Sequence, residues 1–227
     1  MKKQTFALYF GNRGFFPESL IGSAREELVK AVTDAGYDYI IAPADMTRYG
    51  AVETRQEGWK YAEWLKSHEG EYDGVINTGW SGAVSGVFKG DIIVSDSCVE
   101  CDFDLTPIGR LPGQKPGQKD YIYKCDTPLY KAACSVEGFK HGNLGTGDFF
   151  LTNKELGQKY KEIFNINAFD MESGALGAVC YLLDVPFVSI RKISDSADDV
   201  GVEDYTNSVS TDVTAFSDIV LRVLEKI

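Results

Sequence analysis

Two short segments place acids where an acid could take part in a reaction. Phe169-Asp170-Met171-Glu172-Ser173-Gly174 sets two carboxylates where a strand passes into an apolar helix, and Arg191-Lys192-Ile193-Ser194-Asp195-Ser196-Ala197-Asp198 sets a charged cluster at the end of the most apolar strand. In an open α/β sheet such strand ends share an edge, so the two groups could face one cleft, where acid–base chemistry would rest on carboxylates. The competing reading of each is a helix cap or a solvated turn. Other chemistry is poorly served. His68 and His141 neighbour no credible Ser or Cys nucleophile, and two histidines are too few for a His-rich metal site. Cys98-Val99-Glu100-Cys101 has metal or redox spacing, yet zinc needs two more ligands and Cys125 and Cys134 are not spaced to supply them. A redox pair would open a helix, whereas this one follows a strand, so ordinary thiols and no metal are expected. The glycine clusters at 11–14, 79–86 and 145–147 complete neither a Walker loop nor a dinucleotide fingerprint. Gly79-Trp80-Ser81-Gly82 follows a strand directly and fits a bare turn as well as a ligand loop.

The elements that must hold these groups alternate strand and helix, which indicates an α/β layered sheet. Residues 6–10 read as a first strand. Pro17 and Glu18 suit the opening of a helix with Leu20, Ile21, Ala24, Leu28, Ala31, Val32 and Ala35 on one face, stopped by Gly36. Residues 39–42 form a second short strand, and a weaker amphipathic helix with Trp59, Ala62 and Leu65 ends near Gly70. Residues 74–78 and 91–95 read as buried strands around a glycine-rich connection, and 97–119 as a long surface loop. Thr152 and Glu155 form a capping box for a helix carrying Leu156, Tyr160 and Ile163. Residues 186–190 are a strongly apolar strand. Val209, Val213, Phe216, Val220, Val223 and Ile227 predict one long final helix. One domain over 1–227 is expected.

Composition narrows the class further. The chain has 227 residues, 23 basic and 34 acidic, for a formal charge of -11, which argues against a nucleic-acid or anionic-membrane partner. Hydrophobic content of 44% and charged content of 25% are globular values that exclude intrinsic disorder. No apolar run approaches the ~18–20 residues of a membrane span, and no signal peptide is expected at the start. Five cysteines, an odd number, fit reduced thiols in a cytoplasm.

From about Val75 onward, over roughly two-thirds of its length, the chain resembles the nucleoside phosphorylase/nucleosidase superfamily, and within it most resembles the 5′-methylthioadenosine/S-adenosylhomocysteine nucleosidases. The likeness rests on Ile76-Asn77-Thr78-Gly79, on Gly90-Asp91-Ile92-Ile93-Val94-Ser95-Asp96, on Thr146-Gly147-Asp148-Phe149-Phe150, on Asp170-Met171-Glu172, and on Val185-Pro186-Phe187-Val188-Ser189-Ile190-Arg191 with Ile193-Ser194-Asp195 after it. The resemblance implies a three-layer αβα sandwich with a mixed central sheet. It also implies hydrolysis of an adenine nucleoside's N-glycosidic bond, no cofactor, a homodimer, and a place in methionine salvage. Phosphorolysis, hydrolysis of another purine nucleoside, or purine-nucleoside binding without catalysis are the alternatives.

By the same resemblance Asp195 would protonate N7 of the departing adenine, Ser194 would orient it, and Arg191 would belong to the catalytic group. Glu172 would accept hydrogen bonds from the ribose hydroxyls and Met171 would line the sugar. Phe150 would stack on the base while the backbone of Leu151 reads its edge, with Gly79, Trp80 and Ser81 beside the substrate. An acid at the purine and a carboxylate at a sugar that becomes oxocarbenium-like are the pair such a cleavage needs. Asn77-Thr78-Gly79 lacks the phosphate-binding arginine of the phosphorylases, which favours water as nucleophile. The front 74 residues depart from the pattern. Hydrolases of this family carry a water-activating glutamate shortly after the first strand, whereas here Gly11-Asn12-Arg13-Gly14-Phe15-Phe16 follows it and Glu18 is the nearest candidate. This front segment resembles, more faintly, the start of L-fucose-isomerase-type proteins. Trp80 stands where the family has a small residue.

Overall fold

The computed structural model describes residues 4–11, 18–198, 201–211 and 216–227. The chain divides into two compact units, 1–75 with 217–225 and 76–216 with 226–227. The boundary between the units falls beside residue 74, where the atypical front segment of the expected 1–227 domain ends. The physical reason lies in strand pairing: the first two strands pair with each other in a sheet of their own.

In the first unit, β1 (Thr5–Leu8) and β2 (Asp38–Ile41) lie parallel, with Thr5 opposite Asp38 and Leu8 opposite Ile41. Between them runs α1 (Ser19–Asp34), which buries Ile21, Ala31 and Val32 of the predicted face, half-buries Leu28 and the following Ala35, and leaves Ala24 exposed. Its stop is Gly36, whose φ of 86° is the left-handed conformation that favours glycine. Pro17, the residues of the 12–16 stretch and the Leu20 side chain lie outside the described residues. The next helix, α2 (Arg55–Ser67), starts from a complete capping box of Thr54 and Glu57. It buries Tyr61, whose hydroxyl donates to the Leu8 carbonyl at 3.1 Å, and exposes Trp59. The final helical stretch is observed as α6 (Gly201–Thr211) and α7 (Phe216–Leu224), where one helix was predicted. Residues 212–215, with Val213, and the Val209 side chain lie outside the described residues.

The second unit is built on six strands: β3 (Val75–Ala83), β4 (Ile92–Glu100), β5 (Ile122–Lys124), β6 (Phe139–Thr146), β7 (Ala168–Asp170) and β8 (Phe187–Ser196). Their order is β5-β4-β6-β7-β3-β8, and a further pairing of β4 with β8 brings the sheet back on itself. Strands β4, β6 and β7 run parallel, while β3, β5 and β8 pair antiparallel with β7, β4 and β4 respectively. Helices α3 (Pro128–Cys134), α4 (Lys154–Phe164), α5 (Ser173–Leu182) and α6 surround it. The fold is thus α/β with a mixed central sheet, as the sequence predicts. Ile93, Val94, Leu144, Val188, Ile190 and Ile193 are wholly buried in it.

Several local expectations are corrected. The stretch Gly79-Trp80-Ser81-Gly82 is neither a turn nor a ligand loop, because β3 runs straight through it to Ala83. Likewise β4 continues to Glu100, so Cys98 belongs to a strand and not to the long loop. The apolar strand expected at 186–190 extends to Ser196 with nine consecutive buried residues, Arg191 to Asp195 among them. The cap of α4 is Asn153, whose side chain accepts from the Leu156 N–H, and not Thr152.

Candidate active site

Asp195 sits one residue before the end of β8 and is 2% exposed. The Ser194 hydroxyl donates to its Oδ2 at 2.6 Å. Ser194 is held in turn by its neighbours: its Oγ stands 3.3 Å from the Ser81 carbonyl oxygen, and its own carbonyl accepts the Ser208 hydroxyl of α6 at 2.6 Å. Burial raises the Asp195 pKa; the Ser194 hydrogen bond works against this, and the negative charges of Asp204 and Asp198 add to it. A carboxyl raised this way holds its proton further toward neutral pH, which a proton donor requires.

The second carboxylate segment separates into a structural acid and an available one. Asp170, at the end of β7, accepts at Oδ1 the Thr146 hydroxyl at 2.6 Å and the N–H groups of Glu172 and Ser173 at 3.1 and 3.0 Å. It therefore satisfies N–H groups at the head of α5, a structural role for an acid at a strand end. Glu172 instead leaves 42% of its side chain exposed. Arg191 joins them from β8: its Nε is 2.8 Å from Asp170 Oδ2 and 3.1 Å from Ser173 Oγ, and its Nη2 donates to Glu172 Oε2 at 3.4 Å. The guanidinium is buried against a buried carboxylate, so each charge has the partner that burial demands. Ser173 and Ser189 hydroxyls lie 2.7 Å apart, and Asn77 donates to Ser189 at 3.1 Å, extending the network to β3. Gly79 belongs here as well. A Cβ on it would overlap Arg191 Nη1, so its place is fixed by the arginine.

Phe150 is 40% exposed, and its ring meets that of Tyr205 on α6 edge-on at 5.3 Å. Tyr205 was not among the expected residues. Burial pushes its phenol up to about 12, aided by the charges of Asp195 and then Glu172, which places it in the field of both carboxylates. The polar stretch 198–211 carries no motif that marks it; its only signal is an aromatic residue ten positions after Asp195. Leu151 is buried in a core cluster with Tyr160, Phe164 and Ala197, leaving its backbone as the part that could read a base. Met171 is half-buried in the bend between β7 and α5.

Three expected residues stand differently. The Ser81 hydroxyl is committed to the Phe169 carbonyl at 3.0 Å, joining β3 to β7. Trp80 packs edge-on against Phe216 at 5.2 Å with Lys192 Nζ 5.8 Å over its ring. Glu18 heads α1 in the first unit, exposed and hydrogen-bonded to the Tyr49 hydroxyl, which also accepts from Arg48 at 2.7 Å. Cys98 and Cys101 are both buried thiols with raised pKa values, burial being the main cause. Cys98 neighbours Cys125. Among the described residues no three His, Cys, Asp or Glu side chains are grouped to hold a metal ion, and no helix is long and apolar enough to cross a membrane.

The chain belongs to the phosphorylase superfamily, whose family model matches residues 61–225, and it is an enzyme of the nucleosidase kind. It is 31% identical over 162 residues to a 5′-methylthioadenosine/S-adenosylhomocysteine nucleosidase of Haemophilus influenzae, covering 68% of this chain and 70% of that one. It is 30% identical over 159 residues to an aminodeoxyfutalosine nucleosidase of Campylobacter jejuni, covering 67% and 69%. Its fold is shared with the crystal structure of an S-adenosylhomocysteine nucleosidase from Streptococcus pyogenes, with a TM-score of 0.76, 20% identity, and 100% of this chain and 98% of that one covered. Residues 7–78 match the N-terminal domain of the fucose/sulfoquinovose isomerases, in line with the fainter resemblance of the front segment.

Proposed function

We propose that the chain hydrolyses the N-glycosidic bond of an adenine nucleoside such as 5′-methylthioadenosine or S-adenosylhomocysteine, releasing adenine, and that it works as a homodimer. The observation that carries this reading is the contrast between two acids of one unit. Asp195 is buried and held toward its protonated form, while Glu172 is open to solvent at one side and touches the Arg191 cation at the other. In this scheme Asp195 gives its proton to the purine as the bond breaks, and Ser194 fixes the carboxyl for that transfer. Glu172 holds the ribose hydroxyls of a sugar that becomes positively charged. Phe150 offers its exposed ring to the base. The names of the Haemophilus relative and of the Streptococcus structure support a thio-substituted adenine nucleoside.

Water is the proposed nucleophile. Arg191 is already engaged with Asp170, Ser173 and Glu172, so this cation is not free to receive phosphate. The second reading, favoured by the likeness to the Campylobacter enzyme, is the same hydrolysis on aminodeoxyfutalosine. Adenine release from each nucleoside, with and without phosphate, separates the readings. Phosphate-independent release from methylthioadenosine is expected; release only with phosphate would make the enzyme a phosphorylase. Glu18→Gln in the same assay tests water activation: turnover lost with adenine affinity kept assigns Glu18, and turnover kept excludes it.

A further inference from the structure

We infer that Gly82 of β3 and Gly201 of α6 are positioning residues for Asp195, forming a slot in which its carboxylate is seated. The inference rests on Asp195 as the proton donor proposed above. A Cβ on Gly82 would stand 2.8 Å from Asp195 Oδ1 and 3.2 Å from the Ala197 Cβ. A Cβ on Gly201 would stand 3.2 Å from the same Oδ1 and 2.7 Å from the Ser196 carbonyl oxygen. Two elements thus approach one oxygen through positions that only glycine leaves open, while the other oxygen takes the Ser194 hydroxyl at 2.6 Å.

Backbone freedom does not account for either glycine. Nine glycines of the described residues have a positive φ, and Gly82 and Gly201 are not among them. Glycine inside a strand weakens it, and close approach of another group is the usual compensation. The slot is also closed from behind. Helix α6 is tied to β8 by the Ser208 hydroxyl on the Ser194 carbonyl and to the 84–91 connection by Lys89 Nζ at 3.0 Å from Asp204 Oδ1. An added methyl group therefore has to displace the Asp195 side chain, since the helix cannot slide away without breaking both ties. Gly79 stands to Arg191 as Gly82 stands to Asp195, two glycines three residues apart on β3 that each receive a charged side chain from β8. Displacing a proton donor by ~1 Å costs ~10²-fold in rate.

Four proteins decide the matter: wild type, Gly82→Ala, Asp195→Asn and the double variant. Each is assayed for adenine release from methylthioadenosine and melted at about pH 3 and about pH 7, on either side of the ordinary Asp pKa. Gly82→Ala is expected to lower kcat ~10²-fold with Asp195 present and to cost almost nothing further in Asp195→Asn, because a residue that acts through Asp195 has nothing left to act on. Equal fold-losses in both backgrounds would show a general packing role and overturn the slot. If wild type releases no adenine, the hydrolase reading fails by itself and the melting data judge the slot. The advantage of Asp195→Asn over wild type grows between the two pH values because the buried carboxyl must ionise. With Ala at 82 the displaced carboxyl meets water and this growth should shrink; unchanged growth overturns the inference. Gly201→Ala, at the head of a helix, carries the same cycle with the same two outcomes where Gly82→Ala does not fold.

Discussion

Asp195 and Glu172 carry the same functional group, and their surroundings drive them apart. Burial raises the first, and the charges of Asp204 and Asp198 add to it against the pull of Ser194. A carboxyl raised on folding stabilises the fold below its unfolded pKa of about 3.9, and that contribution is lost as pH rises through the folded value. Asp195→Asn should therefore melt higher than wild type at neutral pH, with the gain vanishing in acid, while turnover falls ~10²–10⁴-fold. A variant that is both more stable and nearly inactive would mark Asp195 as a residue kept for chemistry; unchanged turnover would remove it from the mechanism. Phe150 offers a complementary case. Because 40% of it is already exposed, Phe150→Ala has little core to lose. Its melting temperature should barely move while adenine binding weakens by ~1–3 kcal/mol, the scale of base–aromatic stacking. Calorimetry with adenine and a melt on the same sample separate these effects, and a large drop in melting temperature with affinity kept would make Phe150 a packing residue.

Elements were legible wherever one local signal dominated. Helix α1 lies between its predicted start and its glycine stop because amphipathic spacing and a left-handed glycine agree. Strands β3 and β8 were read too short for one shared reason. Gly79 and Gly82 look like turn residues, and Arg191 to Asp195 look like a solvated turn, until each glycine is found making room for a charged side chain from the other strand. That reciprocity is a tertiary fact with no signature in either segment alone. The acids themselves were visible through their ordered motifs, whereas Tyr205 was not. Helix α2 hid a plainer signal in Thr54 and Glu57. Burial alone would raise the Glu57 carboxyl, yet the N–H groups of Arg48, Glu53 and Thr54, at 2.8, 3.0 and 3.0 Å, hold it below its ordinary value with the help of the Thr54 hydroxyl. A pKa lowered on folding gives stability above the unfolded value of about 4.3 and loses it as pH falls through the folded one. Glu57→Gln should thus cost about 1–2 kcal/mol at neutral pH, as losing a helix cap does, and the gap from wild type should close in acid. Denaturant titration at the two extremes reads this directly, and a gap that persists in acid would show that the carboxylate charge is not what the cap uses.

At the scale of the whole molecule, a formal charge of -11 makes self-association unfavourable except where charge is sparse. One such place is α5, whose ten residues contain no charged side chain. Its C-terminal end exposes Val179, Leu182 and the following Leu183 at 51, 62 and 62%. Beside it the three-residue edge strand β5 leaves Ile122 uncovered, and the rings of Tyr123 and Tyr181, 5.6 Å apart, join strand to helix. An apolar helix end next to a sheet edge, flanked by Asp120, which accepts the Tyr181 hydroxyl, and by Asp184, is a surface where a second copy of the chain can bury apolar area. The proposed homodimer should therefore use this face. Light scattering should give twice the 25.1 kDa chain mass for wild type and a single chain mass for Leu182→Glu combined with Leu183→Glu. Two added carboxylates per chain, buried against an acidic partner, cost far more than the lost leucine contacts alone, so dissociation should be complete at micromolar concentration. A wild-type monomer would remove the dimer, and a double variant that stays dimeric would move the interface elsewhere on the molecule.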